Sequence, residues 1–283
     1  MRLIANTEFG GERPLFASHD LHIDNVTIRK GESAIKECSN IVATNCRFEG
    51  NYPFWHIHGF TIKDCYFAVG GRSALWYSDH LKMQDTVIDA PKMFREMHDI
   101  EIENVEMNDA DEVFWRCERI NVKNLKLHGG TYPFMFSTGI SVDGLESDSK
   151  YVFQYVKDVV IRNAKITTKD AFWEVENVTI YDSELNGEYL GWHSKNLRLV
   201  NCHISGEQPL CYAHDLKLEN CTFDASCDRA FEYSTLDADI RGAITNIKNP
   251  TSGRIVADSI GSVTLDENIK APADCEIKTR NNK

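Results

Sequence analysis

At 283 residues, 42% of them apolar, the chain can bury one large core or two ordinary ones and is globular rather than disordered. A formal charge of −12 without any Lys/Arg cluster argues against nucleic acid as a partner, and no run of about 18 apolar residues exists to cross a bilayer. Nine cysteines with no CxxC pair and no finger-like Cys/His spacing give neither a disulfide framework nor a structural zinc site, and the start "MRLIANTEFGGERP" carries no secretory leader; a cytoplasmic protein with buried free thiols is expected.

In chain order, residues 1–18 read as an atypical first coil or N-terminal cap. A ladder of short turn residues then runs Asn25, Asn45, Asp64, Asp85, Asn104, Asn124, Gly144, Asn163, Asp182, Asn201 and Asn220, spaced by 19 to 21 residues. Apolar residues stand four positions before each rung (Leu21, Ile41, Phe60 through Leu197 and Leu216) and, with small exceptions, two before and three after it. Alternation at two residues means strand, and a period near 20 is too short for a helical-pair repeat or a propeller blade, so the unit is one turn of a β-solenoid. Asn, Asp and Gly tolerate left-handed backbone angles, which places the rung at a sharp bend between strands, and stacked side chains there can hydrogen-bond from coil to coil. Cys46 and Cys65, like Cys202 and Cys221, follow their rungs directly and read as small packing residues.

Beyond Asn220 the register is lost in "RAFEYSTLDADIRGAITNIKNP" while strand composition continues, so residues 19–234 read as regular coils and 235–283 as irregular coils and a cap of the same single domain, 1–283. The segments "HDLHIDNVTI", "CERINVKNLKL", "KDVVIRNAKI" and "HDLKLENCTF" resemble the right-handed, single-stranded parallel β-helix (pectin-lyase-like) proteins, and more narrowly an uncharacterised bacterial family of single-domain β-helices. The resemblance implies an all-β solenoid of about 11–13 coils with atypical end coils, and no stated activity. The leucine-rich-repeat frame LxxLxLxxN is missing from every coil.

Ten positions before the rung runs an apolar, mostly aromatic row that includes Phe54, Phe94, Phe114, Phe134, Phe153 and Phe172, with Gly191 in the same row. Nine before it come Trp55, Trp76, Arg95, Trp115, Trp173 and Trp192, so that all five tryptophans share one row. Eight before it come His56, Tyr77, Glu96, Arg116, Tyr155, Glu174 and His193. Strict alternation would bury the charged members of this last row, which is costly, so a bend after the tryptophan that turns both rows outward is expected, with the residue seven before the rung returning to the interior. Aromatic plates beside ionisable groups on a rigid wall suit a carbohydrate or similar small polar ligand. Two other readings stay open: an aromatic face for self-association or a partner, which would make this a non-enzymatic scaffold or assembly protein, and a purely structural stripe.

If the protein is an enzyme, a carbohydrate-active hydrolase, lyase or isomerase is expected. Glu96 and Arg116 lie on adjacent coils and can meet, and Glu174 and His193 form an adjacent acid and base; these four are the catalytic candidates, with Trp55, His56, Trp76, Tyr77, Arg95, Trp115, Tyr155, Trp173 and Trp192 as ligand-binding ones. Glu96 and Glu174, four coils apart or about 19 Å, are too distant to act as a glycosidase couple. The turn "NDADE" offers Asp109, Asp111 or Glu112 to Glu96 and otherwise reads as a solvated loop. The clustered Asp residues of pectate-lyase-like and polygalacturonase-like β-helices are not visible on the Trp-bearing face. His58, His98 and His214 form a loose row with Asp79 among them, which reads as exposed turn histidines; no metal and no cofactor is expected. Phosphate-cradling glycine loops, GxSxG and HExxH are all missing.

Overall fold

The computed structural model describes residues 1–268 and 274–280; the parts of the expected C-terminal cap at 269–273 and 281–283 lie outside them. The described chain is all-β, a parallel β-solenoid of about 14 turns. No helix in it is long and apolar enough to cross a membrane. It divides into two compact units, Met1–Ser149 and Lys150–Lys283.

In the first unit the register follows the ladder: Leu21 pairs with Ile41, Ile41 with Phe60, Phe60 with Leu81, Leu81 with Ile100, Ile100 with Ile120 and Ile120 with Ile140, all in parallel. These side chains are buried, and those between them on each strand face outward, which is the period-two pattern of a half-buried strand. The strand Arg2–Glu12 pairs in parallel with His19–Glu32 and is almost wholly exposed, as an end coil covered on one side only must be. In the second unit Val159, Val178 and Leu197 stack in the same way. Register fails after Asn220 because the coil shortens: Thr235 lies opposite Ser252, and Ala243 opposite Ser259 in a separate two-stranded sheet.

Every rung residue has positive φ, from Asn25 (50°) to Asn124 (53°) and Gly144 (83°) in the first unit and from Asn163 (53°) to Asn220 (54°) in the second. The expected side-chain ladder is present: Asn104 donates to Asp85 at 3.0 Å, Asn124 to Asn104 at 3.0 Å, Asn201 to Asp182 at 2.9 Å and Asn220 to Asn201 at 2.8 Å. A second ladder, mixed in residue type and so without a plain sequence signature, stands five positions before the rungs. Asp20, Asn40, His80, Asp99, Asn177 and Asn196 are left-handed there, and Asn40 donates to Asp20 at 2.5 Å and Asn196 to Asn177 at 2.9 Å.

All nine cysteines are free, eight of them buried. Thiols beside the rungs hydrogen-bond to main-chain carbonyls, Cys46 to Thr44 at 3.1 Å and Cys65 to Lys63 at 3.2 Å, as packing residues would. Burial pushes the Cys117 thiol up to about 12, so it is a neutral thiol at physiological pH.

Candidate functional site

Between the second ladder and the preceding strand, each coil makes a tight arch. From the Asp64 coil to the Asn220 coil its members twelve, ten and eight positions before the rung are left-handed, as Lys92 (60°), Phe94 (60°) and Glu96 (49°) in one coil and Glu112, Phe114 and Arg116 in the next; in the two coils before Asp64, Leu15 and Ile35 break the pattern. Alternating extended and left-handed residues reverse the ordinary in-out rule. Phe94 and Phe114 point into the core with no exposure, Arg95 and Trp115 are half-buried, Glu96 and Arg116 are exposed, and Met97 and Cys117 return inside. The same holds in the second unit for Phe172, Trp173, Glu174 and Val175. The outward bend after the tryptophan row is therefore present, and its cause is the left-handed residue rather than charge avoidance. Gly191 interrupts the aromatic row, and the Leu210 and Leu197 side chains close over the place its Cβ would take, at 2.8 and 3.0 Å.

In the first unit the row nine before the rungs is one continuous stack. Lys36 Nζ lies 5.5 Å from the Trp55 ring, Trp55 and Trp76 stack at 5.1 Å and 12°, and the Arg95 guanidinium sits between Trp76 (4.5 Å) and Trp115 (5.2 Å). The indole N–H groups are used internally: Trp55 donates to the Ser73 carbonyl at 2.6 Å and Trp76 to that of Lys92 at 2.8 Å. The flat faces of Trp55 and Trp76, on which a sugar platform would depend, are thus covered by neighbouring side chains. Arg95 also donates to Glu112 at 2.7 Å, while Lys92 reaches the other Glu112 oxygen at 3.2 Å and Thr131 donates to Asp111 at 2.7 Å. Glu112 and Asp111 of the "NDADE" turn are therefore committed to the arch itself rather than to Glu96.

In the outer row of this unit, His56 stacks on Tyr77 at 5.3 Å and 21°, and the Arg116 guanidinium lies 5.5 Å from the Phe136 ring, which itself meets Trp115 edge-on. Tyr77 and Phe136 are each 40% exposed. Among the described residues no ion pair joins Glu96 to Arg116, and the Arg116 guanidinium lies over Phe136 instead.

In the second unit Trp173 and Trp192 stack at 5.5 Å and 25°, and Trp192 donates to the Gln208 carbonyl at 2.7 Å. Gln154, in the same row, makes the equivalent bond to the Asp170 carbonyl at 2.8 Å, so the row's polar edge is a structural feature whichever residue carries it. His193 stacks on Tyr212 at 4.9 Å and 15° and meets Trp173 at 5.3 Å. The expected Glu174 and His193 couple is not built as an ion pair: aromatic neighbours, not the carboxylate, orient the imidazole. Tyr155 is half-buried in the same outer row.

A concavity of about 480 Å³ lies on the outer face of the first unit's strands between Thr61 and Asp143, walled by Lys82, Glu101, Glu103 and Lys123. Lys82 pairs with Glu101 at 3.3 Å and Lys123 with Glu103 at 3.0 Å across coils. Alternating strand charges at one coil spacing are its sequence signal.

No curated protein matches the chain. Among solved structures it is similar to the catalytic domain of a GH87 α-1,3-glucanase in complex with tetrasaccharides, with 10% identity, 99% of this chain and 64% of that one covered, and a TM-score of 0.29. It is also similar to a mutant of the periplasmic alginate epimerase AlgG, with 11% identity, 98% and 76% covered, and a TM-score of 0.23. Likeness at this level transfers no activity, and this chain spans less than two thirds of the length of the glucanase domain. Over residues 2–278 the sequence matches a family described as protein of unknown function DUF3737, and the chain belongs to it.

Proposed function

We propose that the protein binds an extended polar ligand, a carbohydrate chain foremost, along the outward row of its arches. The observation that carries this is the regular presentation of one hydrogen-bonding or ring-edge group per coil in the first unit, His56, Tyr77, Glu96 and Arg116, all exposed. Parallel coils repeat at about 4.8 Å, a spacing commensurate with successive units of an extended sugar chain. Left-handed backbone and stacked tryptophans hold these groups rigidly, which lowers the ordering cost of binding. Binding rather than turnover is the better reading, since among the described residues no ion pair or hydrogen bond sets a partner group for acid–base work beside Glu96 or Glu174. The unpaired thiols support a reducing, cytoplasmic compartment.

The test is tryptophan fluorescence titrated with neutral, acidic and amino oligosaccharides. A saturable change is expected with one class, weakened at least about tenfold in Glu96→Ala and Arg116→Ala, the loss of one or two charged hydrogen bonds. No change with any class would end the carbohydrate reading.

The second reading, self-association, is favoured by the 40% exposure of Tyr77 and Phe136 in that same row. Light scattering decides it: a dimer that becomes monomeric in Phe136→Ser supports an interface. Trp115 is unsuited to that substitution because it is half-buried and packs on Arg95.

A further inference from the structure

A different group of side chains stands where the first unit's strands begin. The strand register sets His58 directly beside Asp79 in the next coil, and the second ladder places His80 immediately after it in left-handed conformation, φ 55°. The result is convergence on one atom: His58 Nδ1 lies 2.5 Å and His80 Nδ1 2.8 Å from Asp79 Oδ1. The two imidazoles meet edge-on with centroids 5.2 Å apart. One ligand atom from each of the three residues lies within 4.8 Å of the other two.

We propose that His58, Asp79 and His80 form a binding site for a divalent transition-metal cation. Metal–nitrogen and metal–oxygen bonds near 2.0–2.2 Å place tetrahedral ligand atoms about 3.3 Å apart, so the two short contacts need to open by less than about 1 Å. The side chains are free to do so, His58 and His80 being 72% and 60% exposed and Asp79 34%. Two imidazoles with one carboxylate select Zn²⁺, Co²⁺, Ni²⁺ or Cu²⁺ over Mg²⁺ or Ca²⁺, which prefer oxygen-only sets.

The surroundings leave room for further ligands. Gly59 is the ladder neighbour of His80 in the preceding coil, and a Cβ there would meet nothing within 4 Å. His58, Gly59 and His80 share the wall of an open concavity of about 390 Å³, where water or a ligand donor atom can complete the coordination. On its far side His80 Nε2 faces Asp99 Oδ2 at 3.7 Å, and Arg119 fixes that carboxylate by bonds of 2.6 and 3.0 Å. A carboxylate at the second ring nitrogen is what orients a metal-binding histidine and keeps its other nitrogen free to ligate. His98, which also lies in register with Asp79, turns instead to Glu118 at 3.7 Å and stays out of the set.

The test uses the full chain without a polyhistidine tag, stripped with chelator, titrated calorimetrically with Zn²⁺ and followed by visible absorption with Co²⁺. One cation per chain is expected, with Co²⁺ ligand-field bands, affinity weakened by more than about tenfold in His80→Ala and Asp79→Ala, and binding retained in His98→Ala. Circular dichroism establishes that each variant is folded. The proposal is overturned by no Zn²⁺ uptake, by affinity unchanged in folded His80→Ala, by equal binding of Mg²⁺, or by thiolate charge-transfer bands, which would place the cation on cysteines.

Discussion

Left-handed angles cost an ordinary L-residue roughly 1–2 kcal/mol, and Asn is the side chain that adopts them most readily after Gly. At the rungs the chain uses Asn, Asp and Gly, whereas in the arches it places Phe, Glu, Arg and Tyr in the same conformation. Glu37 shows the consequence without complication: it is exposed, has φ 56°, and its N–H bonds to the Trp55 carbonyl at 3.0 Å whatever its side chain. Replacing it by Asn removes strain from the folded state and leaves the packing alone. Glu37→Asn is expected to raise stability by roughly 0.5–1 kcal/mol, read as a higher urea midpoint at unchanged slope. An unchanged or lower midpoint would mean that the arch holds these angles without strain.

At the scale of the arch, a serine that follows the outer row and returns to the interior has a definite task in the coils that carry one. Alternating left-handed residues leave main-chain groups facing inward, and a small polar side chain from the following coil satisfies them. Ser137 accepts from the Cys117 N–H at 2.8 Å and donates to the Phe114 carbonyl at 2.6 Å; Ser78 and Ser234 do the same for Ile57 and Phe54, and for Ala213 and Leu210. Ser194 occupies the equivalent place with a buried hydroxyl that has no partner. Ser137→Ala should therefore cost about 1–3 kcal/mol, while Ser194→Ala should be neutral or stabilising. Equal effects on thermal midpoint would refute the distinction.

The same arch marks the boundary of what the sequence discloses. A period of about 20 residues made the strands, the rung ladder and the placement of each unit's tryptophans in a single row legible, because alternation and turn chemistry repeat with the coil. The left-handed phenylalanines carry no such signature, since nothing in an apolar residue's identity reports its φ. Periodicity also says which side chains are neighbours without saying how they face: Trp55 and Trp76 were legible as neighbours, but not that they stack face to face. His58 and Asp79 fell in one row of the sequence, whereas His80 joins them only through the second ladder, whose members are too mixed in type to stand out.

At the scale of the whole molecule, charge sets how stability responds to pH. Partners hold many half-buried surface carboxyls below their ordinary range: hydrogen bonds from Thr44 and Asn45 for Asp24, from Arg119 for Asp99, from Arg198 for Glu219 and from Lys157 for Glu176. A carboxyl lowered by folding contributes stability above its unfolded value, 3.8 for Asp and 4.5 for Glu, and loses it as pH falls through the folded value. Asp170, which burial pushes upward, works in the opposite sense, the one side-chain carboxyl among the described residues shifted that way. His80 is raised from 6.5 by its hydrogen bond to Asp79, so its contribution is complete below that value and is lost as pH rises through the folded one. A formal charge of −12 at pH 7 adds self-repulsion that fades toward the isoelectric point near 5.3. The three effects bound an optimum from both sides. Thermal midpoints measured in chelator at constant ionic strength should peak between the ordinary glutamate and histidine values, 4.5 and 6.5, and fall steeply below the aspartate value of 3.8. A midpoint that kept rising down to about pH 3 would mean that the cross-coil carboxylate bonds contribute nothing in solution, which is the fate of many exposed ion pairs.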